Sequence, residues 1–147
     1  MTGYYPLVSH HTDPGLLYLT LVALGLIALV PSVATVAVLE SIRQRAIARS
    51  DTFLRVSNTA LANAVAAQAD PRIVFVPTGF RSENAVYGPK SLIWELTLPW
   101  ATPRDPVATA RAAICQGRMR CNIASLGHPN ADGARVIADA IRPHLGL

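Results

Sequence analysis

The residue of this chain best suited to proton transfer is His128, in the stretch from Ser125 to Gly133. Pro129 disfavours helical geometry for the residue before it, so His128 is expected to end a loop. Asn130 is a suitable N-cap for a following helix, and Asp132 then faces the positive end of its dipole. A histidine at such a position can accept and return a proton near pH 7. From this stretch alone, an ordinary surface histidine is the simpler interpretation.

The pattern His128-Pro129-Asn130-x-x-Gly133, followed by an amphipathic helix, resembles the last conserved block of the SGNH (GDSL-type) hydrolases. The segment Gly3-Tyr4-Tyr5-Pro6 resembles the loop that follows a central strand in actinobacterial members of this family. The resemblance spans most of the chain from Gly3 onward. It implies an ester hydrolase of the esterase or lipase type on a three-layer α/β fold, with His128 as general base, a small-molecule ester as substrate and no cofactor.

The resemblance is incomplete at the two partners of the histidine. The Gly-Asp-Ser triplet that carries the family's nucleophile occurs nowhere in the sequence, so no serine is assigned as catalytic. The aspartate that usually lies three residues before the histidine is replaced by Ser125, which lacks a carboxylate to stabilise an imidazolium. The resemblance thus implies that Met1 lies inside a truncated domain, whose N-terminal half with the nucleophile and both oxyanion-hole blocks is missing.

Composition predicts one ordered domain over residues 1–147, because 51% of the residues are hydrophobic and only 15% are charged. The net charge of +4 comes mostly from dispersed arginines, without the basic run or aromatic platform of a nucleic-acid-binding protein.

Cys115 and Cys121 do not have the spacing of zinc ligands, so no metal is expected. A disulfide between them would favour an oxidising compartment, and secretion or attachment to the cell envelope is favoured slightly over the cytoplasm.

Residues 14–39 contain no Asp, Glu, Lys or Arg, and three interpretations of this segment stay open. A membrane span near Leu16–Leu39 has sufficient length, and the arginines that follow would lie in the cytoplasm. A signal peptide would be cleaved near Ser32-Val33-Ala34, but it lacks a basic start. The resemblance favours a buried helix, a turn at Pro31 and a second helix.

The apolar periodicity predicts helices at 38–48 and 56–69, separated near Asp51. The continuous run of β-forming residues at 73–76 predicts a strand buried on both faces. A helix, a short loop and a buried strand indicate an α/β fold with a parallel sheet and flanking helices.

Residues 78–102 show no clear period. The aromatics Phe80, Tyr87 and Trp94 within them either line a substrate groove or pin the segment to the core. A further helix is expected to begin at Asp105-Pro106.

Three hypotheses of function follow. The first is the C-terminal part of an ester hydrolase, with His128 as base and the nucleophile block absent. The second is a non-catalytic remnant or interaction protein, and the third is a small membrane-anchored protein. His10 and His11 are interpreted as a solvated loop, and the oligomeric state stays open.

Overall fold

The chain folds mainly into helices in a computed structural model that describes residues 1–25, 33–96, 110, 113–116, 118 and 126–146. Helix content is 57% against 4% strand, and the described residues form no sheet. Helix α1 spans Pro14–Ala23, helix α2 spans Val33–Gln68 and helix α3 spans Ala131–Ile141. Short 3-10 helices occur at Ser82–Asn84 and Arg142–His144. The expected α/β fold, including the SGNH-type three-layer arrangement with a parallel sheet, is therefore wrong.

The segment at 73–76 shows why the fold prediction failed. Ile73 and Val74 are 42% and 36% exposed, and Val76 is buried. Val76 forms a single parallel bridge to Thr2. A strand buried on both faces needs paired neighbours and a layer on each side, and the described residues provide neither. The apolar run has the expected composition but lacks these surroundings.

Helix α2 is continuous, whereas the periodicity predicted two helices with a break near Asp51. Asp51 lies exposed within the helix, and no glycine or proline interrupts residues 33–68. The helix ends just before Asp70-Pro71, as predicted. Ala69 follows it with a positive φ of 51°, the backbone conformation that often terminates a helix.

Two separate helices occupy much of the uncharged segment at 14–39. Asp13 caps α1 by accepting a hydrogen bond from the Leu16 N–H at 2.8 Å, and Pro14 begins the helix. Helices on both sides agree with the helix–turn–helix interpretation but not with the expected burial, because Thr20 is the only buried residue of α1. Pro31 and Ser32 lie outside the described residues. Within the described ranges, no helix combines the length and apolar character that crossing a membrane requires.

The buried core lies around the irregular segment at 78–96 rather than in a sheet. Its apolar members are Val86, Tyr87 and Ile93, with Tyr5, Val8, Leu17 and Phe80 packed against them. Tyr87 and Trp94 are 8% and 5% exposed, so these two aromatics pin the segment to the core. The predicted helix from Asp105-Pro106 lies largely outside the described residues.

Candidate functional site

The loop that carries His128 is hydrogen-bonded to the buried residue Trp94 through main-chain atoms. The Trp94 N–H donates to the His128 carbonyl at 2.7 Å, and the Gly127 N–H donates to the Trp94 carbonyl at 3.3 Å. His128 thus ends a loop as predicted, and its Cα position is set by a residue that is itself fixed in the core.

The pairing continues one residue further along both segments. Ile93 and Pro129 form an antiparallel bridge, and the Asn130 N–H donates to the Leu92 carbonyl at 2.9 Å. Ile93 is only 1% exposed. The His128 loop therefore rests against one of the most tightly packed parts of the molecule.

A tyrosine from the start of the chain holds the same loop. The Tyr5 hydroxyl donates to the Gly127 carbonyl at 3.0 Å, and the Tyr5 ring lies 5.0 Å from that of Phe80. Gly127 has a φ of +84°, and a Cβ added there would lie 3.0 Å from Leu7 Cδ1. Partial burial raises the pKa of Tyr5, so the hydroxyl keeps its proton for this bond well into the alkaline range.

Helix α3 begins directly after the loop, and its start is anchored twice. The Asn130 side chain accepts from the Gly133 N–H at 2.9 Å and donates to the Ser91 carbonyl at 3.2 Å. The N-cap prediction is confirmed, and Asp132 lies in the first turn. A Cβ on Gly133 would lie 2.1 Å from the Leu92 carbonyl oxygen, so the helix start approaches this segment as closely as only glycine permits.

The His128 side chain is exposed. Its imidazole has neither a hydrogen-bond partner nor a carboxylate partner among the described residues. Ser125, at the family's usual aspartate position, lies outside the described residues. The loop thus presents an imidazole to solvent from a main chain that is held firmly.

Three of the six serines in the described ranges have hydroxyls that are engaged elsewhere. The buried Ser9 hydroxyl donates to the Ser82 carbonyl at 2.6 Å, and that of Ser91 donates to the Ile93 carbonyl at 3.2 Å. The Ser50 hydroxyl accepts main-chain N–H groups of the N-terminal loop. None of the hydrogen bonds in the described ranges joins a serine hydroxyl to an imidazole.

The histidine pair near α1 lies at a separate place. The rings of His10 and His11 are 4.1 Å apart and border a polar cavity of about 510 Å³ that also includes Arg43 and Glu95. Both residues are exposed, as expected for a solvated loop. In the part of the chain described, no group of three His, Cys, Asp or Glu residues is arranged to hold a metal ion.

Two features of the region were missed by reasoning from the sequence. Trp94 has a buried indole N–H without a hydrogen-bond partner among the described residues, and the structure offers no physical account of it. Tyr5 reaches Gly127 across 122 positions, a contact that no local pattern signals.

Of the two cysteines, Cys115 is disulfide-bonded and buried, and Cys121 lies outside the described residues.

Comparison with known proteins returns no relative for this chain. No protein-family model matches it, and neither does any curated protein or solved structure.

Proposed function

We propose that His128 is the general base of a carboxylic-ester hydrolase site whose nucleophilic hydroxyl comes from a polypeptide segment outside this sequence. One observation carries the proposal: the His128 main chain is held by Trp94 while its imidazole faces solvent unpaired within the described ranges. A side chain that served packing alone would be expected to lie against the core.

The chemistry asked of His128 is proton transfer. As a serine or other hydroxyl attacks the ester carbonyl carbon, the imidazole takes the hydroxyl proton. When the tetrahedral intermediate collapses, the imidazolium returns that proton to the leaving alcohol. Such a base must keep its position through both steps, because misplacement of a reacting group by about 1 Å can lower the rate about 100-fold.

The support around the loop suits this requirement. The antiparallel bridge between Ile93 and Pro129 and the Tyr5 hydroxyl bond to Gly127 restrain the loop from two sides. Asn130 then joins the loop to α3. A hydrolytic site needs these restraints on its base, and they operate without any contribution from the nucleophile.

A non-catalytic interaction protein is the second candidate, and the exposed surface of α2 favours it. Phe53 and Val56 are 55% and 50% exposed on this helix. Large apolar side chains at neighbouring exposed positions mark surfaces that bind other molecules. On this hypothesis His128 is a surface residue without a chemical role.

An experiment that supplies the absent nucleophile as a small alcohol distinguishes the hydrolase from the interaction-protein hypothesis. Transfer of the acetyl group from 4-nitrophenyl acetate to trifluoroethanol releases 4-nitrophenolate, and the alcohol proton passes to the base. The proposal predicts that the chain accelerates this transfer in proportion to the alcohol concentration, and that His128→Ala lowers the rate to background.

His144→Ala provides the matched control, because His144 lies exposed in the final 3-10 helix and reports the effect of an unpositioned imidazole. This variant should retain the full rate. If His128→Ala retains the wild-type rate, the assignment of His128 is wrong. If neither the wild-type chain nor His144→Ala accelerates the transfer, the interaction protein becomes the better account.

A further inference from the structure

An apolar crevice separates the N-terminal loop from α2. Its volume is about 410 Å³, within the range of roughly 300–1,000 Å³ typical of small-molecule sites. The described walls include Tyr5, Leu7, Val8, Ala46, Arg49 and Phe53. On the α2 side, Ser50 completes the set with Ala46, Arg49 and Phe53 at the helical spacing i, i+3, i+4 and i+7, so a single face of the helix provides this wall.

Arg49 is the only charged residue among the described residues of the wall. Arg43, one turn and a half earlier on the same helix, is paired with Glu40 at 2.8 Å. Arg49, by contrast, forms no ion pair with any described residue. The Ser50 hydroxyl is already engaged with the N–H groups of Leu7 and Val8. Arg49 is therefore the cationic group at the crevice that can pair with a bound anion.

The apolar surface at this place is incompletely covered. Leu7 and Phe53 are 45% and 55% exposed. A second hollow of about 440 Å³ lies along α2 and shares Arg49 and Phe53 with the crevice, extending the apolar surface to Val56. Covering apolar side chains removes them from water, which favours binding.

We propose that the crevice binds an amphiphile with an apolar chain and an anionic head, namely a long-chain carboxylate. The chain lies between the N-terminal loop and α2, and the carboxylate pairs with Arg49. This proposal is independent of the function proposed for His128, because binding requires no proton transfer. The crevice shares Tyr5 and Gly127 with the support of the His128 loop, but the proposed ligand pairs with Arg49 and not with the imidazole.

Size and charge favour this occupant over others. A stable protein partner usually covers about 800 Å² on each side, whereas the crevice is a single hollow of about 410 Å³ between the N-terminal loop and α2. A cationic amphiphile would be repelled by the guanidinium of the exposed Arg49, and a purely apolar molecule would gain nothing from its charge. A long-chain carboxylate matches both features, because its chain covers the apolar wall and its head group pairs with the guanidinium.

Calorimetric titration with dodecanoate below its micelle concentration tests the proposal. Dodecanoate should bind the wild-type chain, and dodecyltrimethylammonium should bind at least about tenfold more weakly. Arg49→Gln should weaken dodecanoate binding about tenfold, as expected for the loss of one charge-assisted contact. The matched variant Arg45→Gln should bind normally, because Arg45 lies on α2 outside the crevice and makes one long bond to the Ser41 carbonyl at 3.4 Å.

Ala46→Phe fills the crevice from α2 and should abolish binding while the helical circular dichroism is unchanged. If this variant does not fold, the exposed Arg49→Gln still decides the question. Equal binding of the carboxylate and the ammonium compound, or normal binding by Arg49→Gln, would overturn the proposal. His128→Ala should bind dodecanoate normally, so failure of the hydrolase proposal and failure of this one are distinguishable.

Discussion

Two short extended segments of this protein each form one isolated β-bridge, the first parallel and the second antiparallel, in different surroundings. The segment at 73–76 makes one bridge to Thr2, and the segment at 92–94 makes one bridge to Pro129. Hydrogen bonds of ordinary length support both pairs. Both bridging residues, Val76 and Ile93, are buried, but the flanking residues differ: Ile73 and Val74 are 42% and 36% exposed, whereas Trp94 is 5% exposed.

The comparison indicates that close packing of the flanking residues, in addition to main-chain pairing, holds the His128 loop. At the first bridge, the Val76 N–H donates to the Met1 carbonyl and the Gly3 N–H donates to the Val76 carbonyl, both at 2.9 Å. That bridge makes no main-chain hydrogen bond to the His128 loop within the described residues. The second bridge lies in the core and holds the His128 loop, so disturbing the core should move His128.

Truncating Ile93 and truncating Ile73 should produce the largest difference in the free energy of unfolding. Ile93→Ala removes a fully buried side chain and should lower the free energy of unfolding by about 2–5 kcal/mol. Ile73→Ala acts on an exposed side chain and should cost less than about 1 kcal/mol. Urea denaturation followed by circular dichroism measures both values. Equal losses in the free energy of unfolding at the two positions would contradict the view that the segment at 92–94 is the more tightly packed.

Removing the cap between the His128 loop and α3 should have the next largest effect. Asn130→Ala loses the bonds to the Gly133 N–H and to the Ser91 carbonyl, and should cost about 1–2 kcal/mol. Asn63→Ala is the control, because Asn63 is exposed within α2. Chemical denaturation of both variants provides the measurement, and an unchanged midpoint for Asn130→Ala would argue that the cap contributes nothing.

Removing the Tyr5 hydroxyl should lower the free energy of unfolding by less, close to the usual value of about 1 kcal/mol for one hydrogen bond. Tyr5→Phe loses the bond to the Gly127 carbonyl, so amide hydrogen exchange around Gly127 and His128 should accelerate. Tyr4→Phe is the matched control, because Tyr4 is 46% exposed and its hydroxyl has no partner among the described residues. Identical exchange in both variants would exclude Tyr5 as a restraint on the loop.

The smallest expected effect is on the pH dependence of stability, compared between the wild-type chain and Tyr5→Phe. Burial raises the pKa of Tyr5, so the folded protein retains this proton at pH values where the unfolded chain has lost it. The unfolded state then binds fewer protons, and stability decreases as the pH rises past about 10. Tyr5→Phe should show a shallower alkaline loss than wild type in denaturation series. An equally steep loss would mean that Tyr5 does not contribute.

Local chemistry predicted the neighbourhood of His128 well. Pro129 and Asn130 were sufficient to predict a loop end followed by a capped helix, because both effects act within a few residues. The end of α2 before Asp70-Pro71 follows for the same reason. In contrast, the continuity of α2 past Asp51 depends on the absence of any strong helix breaker, which a periodicity argument does not weigh.

Contacts between distant residues could not be predicted from the sequence. The Tyr5 bond to Gly127 spans 122 positions, and the Trp94 bond to His128 joins two irregular segments. The run at 73–76 was expected to be a buried strand because its residue types suit one, but burial depends on neighbouring elements that its own sequence does not specify. The crevice beside α2 likewise arises only when the N-terminal loop meets the helix.

The central claim is that this chain supplies the base of a hydrolytic site and not its nucleophile. Intact-mass analysis of the folded 147-residue chain after exposure to a fluorophosphonate tests that division directly. The account predicts no covalent adduct, because no serine hydroxyl of the described ranges is hydrogen-bonded to an imidazole. A single adduct that disappears in His128→Ala would contradict it, since the chain would then contain an activated serine of its own.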